Sequence, residues 1–378
     1  MASVEKRLRD KQATWLARWR DPAGRQRKRT FPRRVDAERF LTTTEHAILT
    51  GGYVDPAAGK VTFRDYAESW RAGQVHRATT AAHVETMLRR HAYPVLGSRP
   101  LSGIRPSEVQ TWVKRLSTGT DDNKALSPAT VGVVHGLVAA VFKAAARDRT
   151  VTASPCEGTK LPKREPHRVV PLTTDTVHAL AAAVPGRYGA VVVLAAGTGL
   201  RQGEVFGLTI DRVDFLRRTL TVDRQLVLLP GRPPFHAPPK TGASYRTVPL
   251  PQVVLEALAE HVRRFPVEPG GLLFTTAAGD PLRRTAFSAK VWRPATMEAG
   301  APGAVFHELR HYYASLLIRH GESVKVVQAR LGHATAAETL DTYSHLWPDS
   351  EDRTRQAIDD VLGSACAPVV PRTAASDL

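Results

Sequence analysis

The chain has 378 residues, of which 42% are hydrophobic and 24% charged, and this is the composition of an ordinary globular protein large enough for two or three domains. Its two cysteines exclude a disulfide framework and sit in no metal-ligand spacing, so we expect a cytoplasmic protein. The N-terminus has no apolar run typical of a signal peptide, and we interpret the apolar stretch 188–200 as far too short to cross a bilayer.

The net charge of +17 is concentrated in the first 165 residues. Residues 1–50 contain 13 Lys and Arg against 6 Asp and Glu, and residues 61–165 contain 16 against 9, so each segment carries +7. Residues 166–378 contain 23 against 20. A basic surface attracts polyanions through steering and counterion release, which favours nucleic acid as the partner. Solubility alone is the other interpretation of this charge.

Residues 12–55 predict a small sheet followed by a helix. Apolar and polar residues alternate at 15–19 and 29–31 on either side of the turn 21–24, which favours a β-hairpin or a three-stranded sheet. A helix is predicted over 35–49. A cationic cluster beside two tryptophans makes the sheet a candidate DNA-binding surface, with a solvated turn as the alternative. The cluster consists of Arg25, Arg27, Lys28 and Arg29.

A linker rich in glycine, alanine and proline is predicted over 52–60, and the pattern from 61 to about 151 is helical. Apolar residues recur there at three- and four-residue intervals and predict four amphipathic helices, with starts marked by Thr80, Ser107 and Ser127. The polar faces carry cations suited to backbone phosphates or simply to solvent. These are Arg89, Arg90, Lys114, Arg115, Lys124 and Lys143.

A proline-rich segment, 155–171, predicts a second linker before a C-terminal domain. Helices are predicted from Thr173 and over 188–196. Arg201 then lies in the first turn of a new helix, where a cation is unfavourable. An anionic ligand shared with free backbone N–H groups would explain this placement, and an ion pair with Glu204 is the alternative.

Strands are predicted within 213–227 and over 245–250, and the turn between them exposes Lys240 at a hairpin tip. A flexible lysine there is able to reach a neighbouring site, although a solvated turn residue is the ordinary interpretation. Helices over 252–265, 284–298 and 354–362 follow. The tail 364–378 is expected to be mobile.

The stretch 305–346 combines several polar groups of catalytic type. His307 and Arg310 are three residues apart on a predicted helix and therefore share a face. A second helix ends at Gly332 and leaves His333 at its end. Tyr343 follows ten residues later, with room to fold back over the same face. A phenol beside cations is a potential nucleophile.

Residues 307–311 also spell His-Glu-Leu-Arg-His, which is the H-E-x-x-H pattern of helical zinc sites. A zinc protease would need a third ligand, would place a guanidinium beside a dication, and would give no role to His333 or Tyr343. We therefore disfavour it. A DNA-binding protein without strand-transfer activity remains a second alternative.

Five separate elements occur in a fixed order over residues 197–345. They are Arg201 in TGLRQGE, Lys240 in PPKTGASYRTVPL, His307-x-x-Arg310, His333 in LGH and Tyr343 in DTYSH. This pattern resembles the tyrosine recombinase, or phage integrase, family. The resemblance covers the C-terminal half residue by residue, whereas upstream it depends on layout. The departures, Gly203 and His333, remove no catalytic group.

The resemblance implies a multidomain fold of three parts and a tail. These are a small α+β arm-site-binding domain (1–55), an all-α core-site-binding domain (61–154), a mainly α catalytic domain with a small β-sheet (168–363) and the tail (364–378). It implies a cytoplasmic, nucleoid-associated enzyme that integrates or excises a mobile element. The implied partners are double-stranded DNA at attachment sites, a homotetramer on that DNA and accessory DNA-bending or directionality proteins, with no membrane.

The implied chemistry assigns one role to each motif residue. Arg201 and Arg310 clamp the phosphate, and Tyr343 attacks it to form a 3′-phosphotyrosyl bond. His307 is the expected base. Lys240 protonates the departing 5′-oxygen, and His333 donates a hydrogen bond to the phosphate. Because the covalent intermediate keeps the bond energy, we expect no metal, nucleotide or other cofactor.

Overall fold

The structure, a computed structural model, describes residues 2–9, 12–55, 58–120, 124–165, 168–347 and 351–362. The tail predicted over 364–378 lies outside these residues. The chain forms two compact units, Met1–Pro166 and His167–Leu378.

The first unit begins with an antiparallel sheet that a helix covers on one face. The strands, in the order β1-β2-β3, are β1 (Ser3–Arg9), β2 (Gln12–Arg20) and β3 (Gln26–Phe31), and the helix is α1 (Arg34–Leu49). The three-stranded alternative is thereby confirmed, with β1 added to the predicted pattern. Ala17 and Trp19 of β2 pack against Leu41 of α1. Because successive strand residues point to opposite faces, Leu16, Arg18 and Arg20 face away from the helix.

The predicted linker 52–60 is packed at both of its ends. Tyr53 is buried, and its hydroxyl oxygen accepts a hydrogen bond from the indole N–H of Trp19 at 3.0 Å. Gly59 is also buried, and a Cβ there would lie 2.6 Å from the Cβ of Ser102. The prediction of an open linker is therefore wrong at these two positions, because an aromatic ring and a close backbone approach fix the chain.

A helical body follows in the first unit. Its helices are α2 (Phe63–Ala72), α3 (Ala78–Met87), α4 (Tyr93–Leu96), α5 (Pro106–Thr118) and α6 (Pro128–Arg147), with a π-helical turn over Leu88–Ala92. The predicted cap of α6 is confirmed, since the Ser127 hydroxyl accepts from the N–H of Thr130. The predicted start at Thr80 is two residues late, and that at Ser107 is one residue late.

Helix α6 is the apolar centre of this body. Its buried side chains include Val131, Val134, Val138, Val141 and Phe142. By length and composition α6 would pass as a membrane span, although the stretch 188–200 that the sequence singles out does not. Its buried face packs in the helical core, which also explains the apolar composition.

The second unit is mainly helical, with small sheets. Its first elements are α7 (Thr174–Ala183), α8 (Gly189–Thr198), α9 (Gln202–Phe206), β4 (Val213–Asp214), β5 (Thr219–Val222), β6 (Gln225–Val227), β7 (Phe235–Ala237) and β8 (Arg246–Pro249). The strand order is β4-β5-β8, and β6 pairs with β7. Helix α8 lies in the centre of the core, where Val191, Leu194 and Ala195 are fully buried.

The remaining elements complete the second unit. They are α10 (Gln252–Arg264), α11 (Arg284–Phe287), α12 (Arg293–Glu298), α13 (Glu308–Arg319), α14 (Val324–Leu331), α15 (Ala336–Tyr343) and α16 (Glu351–Leu362). A π-helical turn over Ser288–Trp292 joins α11 to α12, so the helix predicted over 284–298 is present with one irregular turn. Helices α13, α14 and α15 meet around a smaller apolar cluster that contains Tyr313, Leu331 and Tyr343.

Candidate active site

Arg310 lies at the centre of a side-chain cluster in the second unit. Its guanidinium is 2% exposed and donates to two main-chain carbonyls, at 2.7 Å to Gly199 from Nη1 and at 2.7 Å to Leu331 from Nη2. Burial and the nearby charge of Arg201 lower the pKa of Arg310 to about 9, which leaves it protonated at neutral pH. Among the described residues its bonded partners are carbonyls and no carboxylate. A buried cation of this kind favours an anionic ligand.

Two glycines turn the chain so that carbonyls face the cluster. Gly199 ends α8 at φ +65°, and a Cβ there would lie 2.4 Å from the ring of Tyr313. Gly332 ends α14 at φ +66°, and a Cβ there would lie 3.0 Å from the carbonyl oxygen of Ala243. Glycine alone combines the left-handed backbone with such close approach at no steric cost. The predicted end of α14 at Gly332 is confirmed.

Arg201 enters the cluster from the residue before α9. Its Nη2 donates to the carbonyl of Gly332 at 3.3 Å, and its Nη1 lies 3.2 Å from Oε1 of Glu204. The main-chain N–H of Arg201 donates to Oε2 of Glu204 at 2.9 Å. The alternative pairing with Glu204 is therefore present, and it occupies the main-chain N–H of Arg201 itself. The side chain is 36% exposed, so Arg201 reaches solvent where Arg310 does not.

Glu204 joins this arginine to a second one that the sequence analysis missed. Arg246 of β8 donates to both carboxylate oxygens of Glu204, at 3.2 and 2.8 Å, and the two side chains are 5% and 6% exposed. Burial acts to raise the pKa of Glu204, but the hydrogen bond and charge of Arg246 outweigh it, and the pKa is lowered. The Nε of Arg246 also donates to the carbonyl of Arg330 at 2.9 Å, which ties β8 to the end of α14.

Tyr343, at the end of α15, packs into the same cluster and is 1% exposed. Its hydroxyl lies 2.8 Å from Nδ1 of His311, and its ring is nearly parallel to that of His333 at a centroid distance of 6.4 Å. Burial raises the pKa of Tyr343 to about 12, although Arg310 acts in the opposite direction. The phenol is therefore neutral at pH 7 and needs a proton acceptor. The predicted return of Tyr343 to the His307 and Arg310 helix is confirmed.

The two histidines of the predicted site differ in their surroundings. His307 is exposed at the surface end of the cluster, and its partial enclosure together with Arg310 and Arg201 lowers its pKa. His333 is buried, with Nδ1 at 2.8 Å from the hydroxyl oxygen of Thr339. Burial and the charge of Arg310 lower the pKa of His333 to about 4. Both rings are therefore neutral at pH 7 and are available for hydrogen bonding.

Lys240 does not lie at a hairpin tip, so that prediction is wrong. Strands β6 and β7 form an additional hairpin whose tip covers 228–234, and Lys240 follows in the connection to β8. The Lys240 side chain is exposed. The chain just after it, at Ala243, approaches Gly332 closely, as the glycine contact shows. Lys240 is therefore carried by a segment that borders the cluster.

The His-Glu-Leu-Arg-His pattern is used differently from a zinc site. His311 faces Tyr343, and its ring is nearly perpendicular to that of His307 at a centroid distance of 5.0 Å. Arg310, between the two histidines in sequence, is the buried cation of the cluster. The described residues contain no group of three His, Cys, Asp or Glu side chains placed to hold a metal. The zinc protease interpretation therefore gains no support.

The cationic cluster of the N-terminal sheet is largely engaged within the protein. Arg25 and Arg27 both donate to the buried carboxylate of Asp21, and Arg27 also bonds Asp55. The guanidinium of Arg29 lies over two aromatic rings on the helix side of the sheet, those of Phe31 and Phe40. Of the four predicted cations, Lys28 alone is on the opposite face.

That opposite face carries Lys28 together with three cations that the sequence analysis did not select. We call Arg7, Arg18, Arg20 and Lys28 the outer sheet face. Arg18 is paired across the strands with Lys28 and forms an ion pair with Glu5 at 2.8 Å. The alternation of residues along β3 was the signal for this face. Arg27 and Arg29 lie on the same side of the strand as the apolar Phe31, which is expected to face the helix, and Lys28 lies on the other side.

The predicted cations of the helical body are all exposed. In the described part of the chain none of them forms an ion pair. They are Arg89 and Arg90 in the π-helical turn, Lys114 and Arg115 on α5, Lys124 before α6, and Lys143 on α6. Their charge is available to a polyanion.

Family models match both units of the chain. The model described as Phage integrase family matches residues 171–349, and that described as Phage integrase, N-terminal SAM-like domain matches residues 62–117. A prophage phiRv2 integrase of Mycobacterium tuberculosis is 30% identical over 344 residues, which are 88% of each chain. A XerC-like tyrosine recombinase of Caldanaerobacter subterraneus is 27% identical over 69% of this chain and 72% of its own length.

Solved structures of similar fold include integrases. The Tn1549 transposon integrase in complex with transposon right end DNA superposes with a TM-score of 0.66 and 22% identity, over 80% of this chain and 100% of the other. A lambda integrase dimer bound to a COC′ core site gives a TM-score of 0.56 and 18% identity, over 92% and 95%. A lambda integrase tetramer bound to a Holliday junction gives 0.55.

Proposed function

This chain belongs to the phage integrase family and is a site-specific DNA recombinase, and we propose that Tyr343 is the nucleophile with which it cleaves DNA. The observation that carries this proposal is the placement of the Tyr343 hydroxyl on His311, the residue that follows the buried Arg310 on α13. The other candidate function, DNA binding without strand transfer, does not explain why these side chains are buried together.

The arginines of the cluster suit the charge of a phosphoryl transition state. Attack by a hydroxyl on a phosphodiester increases the negative charge on the non-bridging oxygens, and fixed donors that match this charge accelerate the step. Arg310 is held by two carbonyls and still has N–H groups to offer, and Arg201 reaches the same region from the solvent side. A scissile phosphate would bind between them.

The proton of Tyr343 passes to His311 in this proposal, and not to His307 as the sequence predicts. His311 Nδ1 is already within hydrogen-bonding distance of the phenol, whereas His307 lies beside the arginines. Because burial raises the pKa of Tyr343, a bonded acceptor is needed to form the phenolate. His307 then contacts the phosphate. With Thr339 donating to Nδ1 of His333, the other ring nitrogen carries its proton and donates to the phosphate as well.

Lys240 supplies a proton to the departing 5′-oxygen. Its exposed side chain and its position beside a segment packed on Gly332 support this role. The attack forms a bond between the tyrosine oxygen and phosphorus as the bond to the 5′-oxygen breaks. The resulting 3′-phosphotyrosyl intermediate retains the bond energy, so a 5′-hydroxyl of a second strand can reseal it without a nucleotide.

DNA recognition uses surfaces of the first unit. We assign the helical body, proposed to extend over 61–154, to core sites through its exposed and unpaired cations. We assign the sheet and helix over 1–55 to arm sites through the outer sheet face, in place of Arg25, Arg27 and Arg29. The alternation of β2 and β3 supports the second assignment.

Recombination between two duplexes breaks four strands, so we propose a homotetramer on DNA, with accessory bending or directionality proteins. The lambda integrase tetramer on a Holliday junction is the comparison that supports it. Integration or excision of a mobile element is the expected outcome, in the cytoplasm and on nucleoid DNA. The prophage and transposon integrases among the similar proteins support this purpose.

Covalent trapping tests the proposed nucleophile. Nicked duplexes tiled from the DNA that flanks the gene are incubated with the full chain in EDTA, and denaturing gels detect a protein–DNA adduct. We expect an adduct from the wild-type chain and none from Tyr343→Phe, which should bind the same duplex equally well. An adduct that persists in Tyr343→Phe would refute the assignment of the nucleophile.

A further inference from the structure

A cleft of about 620 Å³ opens beside His307 at the edge of the cluster. One wall is the helical segment 284–298, which presents Arg284, Ser288 and Trp292 at four-residue spacing. The opposite wall is the chain from 303 to 307, and Gln202 lines the end next to α9. The cleft therefore starts at the proposed phosphate-binding groups and runs away from them.

Arg284 lies at the mouth of this cleft. A Cβ at Gly203 would lie 3.8 Å from Nη2 of Arg284, which places the guanidinium beside the first turn of α9. After enclosure and the charges of Arg310 and Arg201, the charge of Arg284 is a further cause of the lowered pKa of His307. The cations thus continue outward from buried Arg310 through Arg201 to Arg284 at the surface.

Arg284 differs from its neighbours in having no acid to balance it. Arg201 and Arg246 share the carboxylate of Glu204. Within the described residues Arg284 is exposed and forms no ion pair. An unpaired cation next to other cations is repelled by them, and a bound anion removes that repulsion.

The walls of the cleft favour a phosphate over a nucleobase. Trp292 is buried, its indole N–H donates to the carbonyl of Ala304 at 2.9 Å, and its ring contacts Phe306 edge to face. No open aromatic face is thus offered by Trp292 for stacking. Polar side chains line the rest of the cleft, namely Gln202, Arg284, Ser288, Arg293, Thr296 and His307. Of these, Arg284 lies beside the first turn of α9, which also carries Gln202.

We propose that Arg284, assisted by Gln202, binds a DNA backbone phosphate adjacent to the scissile phosphate and thereby positions the strand for attack. The inference depends on the proposed function of the Tyr343 cluster. Arg284 is a positioning residue, since it holds the strand and does not touch the phosphorus that reacts.

The test measures the affinity of the full chain for a nicked duplex and, separately, the rate of adduct formation. Arg284→Gln is compared with Arg283→Gln, which removes the same charge from an exposed neighbour that does not line the cleft. We expect Arg284→Gln to weaken binding by about 10- to 100-fold, as for loss of a charged hydrogen bond. Arg283→Gln should weaken it by less than about 3-fold. Unchanged melting temperatures confirm that both variants fold.

Neutral methylphosphonates identify the phosphate. Each of the two phosphates that flank the scissile one is replaced in turn. When the phosphate bound by Arg284 is replaced, the affinity of the wild-type chain should fall by the same factor as the Arg284→Gln substitution causes on normal DNA. The affinity of Arg284→Gln should not fall further on the modified DNA. Equal affinities of Arg284→Gln and Arg283→Gln would overturn the proposal. So would a methylphosphonate effect that is as large in Arg284→Gln as in the wild-type chain at both flanking phosphates.

The adduct measurement separates this inference from the proposed function. A wild-type chain that binds with the expected methylphosphonate coupling but forms no adduct contradicts the Tyr343 assignment alone. An adduct lost in Tyr343→Phe, with Arg284→Gln and Arg283→Gln indistinguishable in binding, contradicts the Arg284 assignment alone.

Discussion

The Arg310 cluster and the outer sheet face both present arginines, but they hold them in opposite ways. Arg310 is almost fully buried, and both of its terminal nitrogens bond to carbonyls that glycine turns fix in place. On the outer sheet face, Lys28 and Arg20 are exposed. The cluster therefore fixes a position, whereas the sheet face supplies charge.

Because the two regions hold their cations differently, substitutions in one should change the reaction rate and substitutions in the other should change DNA binding. A fixed buried donor acts on one phosphate at one step, and its removal lowers the rate of that step at any salt concentration. An exposed cation displaces counterions from DNA, and its removal weakens binding in a salt-dependent way. Substitutions in the two regions should therefore change different measured quantities.

Arg310→Lys should produce the largest effect. Lysine keeps the charge but loses the planar fork that spans two carbonyls and a phosphate, so we expect adduct formation to slow by about 10²- to 10³-fold. The salt dependence of DNA binding should not change. A large change in that dependence with a normal rate would place Arg310 in the same class as the sheet-face cations.

His311→Gln should slow adduct formation by about 10²-fold or more, the range for loss of a proton acceptor. His307→Gln is the comparison on the same helix face, and it should also slow the reaction because His307 contacts the phosphate in the proposed mechanism. If His307→Gln alone abolishes attack by Tyr343 while His311→Gln is active, then His307 is the acceptor and the resting hydrogen bond to His311 is not used.

Glu204→Gln should destabilise the second unit by about 3 kcal/mol, because it leaves Arg246 buried without a counter-charge. The folded-state pKa of Glu204 is lowered. Its stabilisation is therefore complete above the unfolded pKa and is lost as the pH falls through the folded pKa. Urea unfolding from pH 7 to pH 3 should show a steeper loss in the wild type than in Glu204→Gln. Glu260→Gln, in an exposed ion pair, is the control and should change little.

Lys28→Gln should give the smallest effect, which is a change in the salt dependence of DNA binding. The slope of log affinity against log salt on arm-site DNA should fall by about 1. Arg29→Gln, the next residue on the opposite face, should leave that slope unchanged because its guanidinium lies over aromatic rings. Equal effects of the two substitutions would show that strand alternation does not determine the DNA-binding face.

The sequence predicts those parts of the site that local spacing determines. His307 and Arg310 share a helix face, and the left-handed glycine at 332 ends α14 directly before His333. These relations extend over a few residues. The N-terminal sheet, the helical body and the helices of the second unit are predicted for the same reason, with helix ends shifted by one or two residues.

The sequence does not predict relations that depend on packing between distant elements. Whether His307 or His311 meets Tyr343 is decided by the packing of α13 against α15, 32 residues apart. The bond from Arg246 to Glu204 joins residues 42 positions apart. The choice of sheet face depends on which side α1 covers. In each case several residues of suitable chemistry are present, and the tertiary structure selects among them.

The central claim is that Tyr343 attacks a phosphate bound by the arginines of its own chain. Mixing two chains of different tagged length, the inactive Tyr343→Phe and the slow Arg310→Lys, on a nicked core-site duplex tests it directly. Because Tyr343 is buried in the cluster of its own chain, the mixture should form adduct no faster than Arg310→Lys alone. Rapid adduct formation on the Arg310→Lys chain would show that its tyrosine works in another chain's site and would contradict the claim.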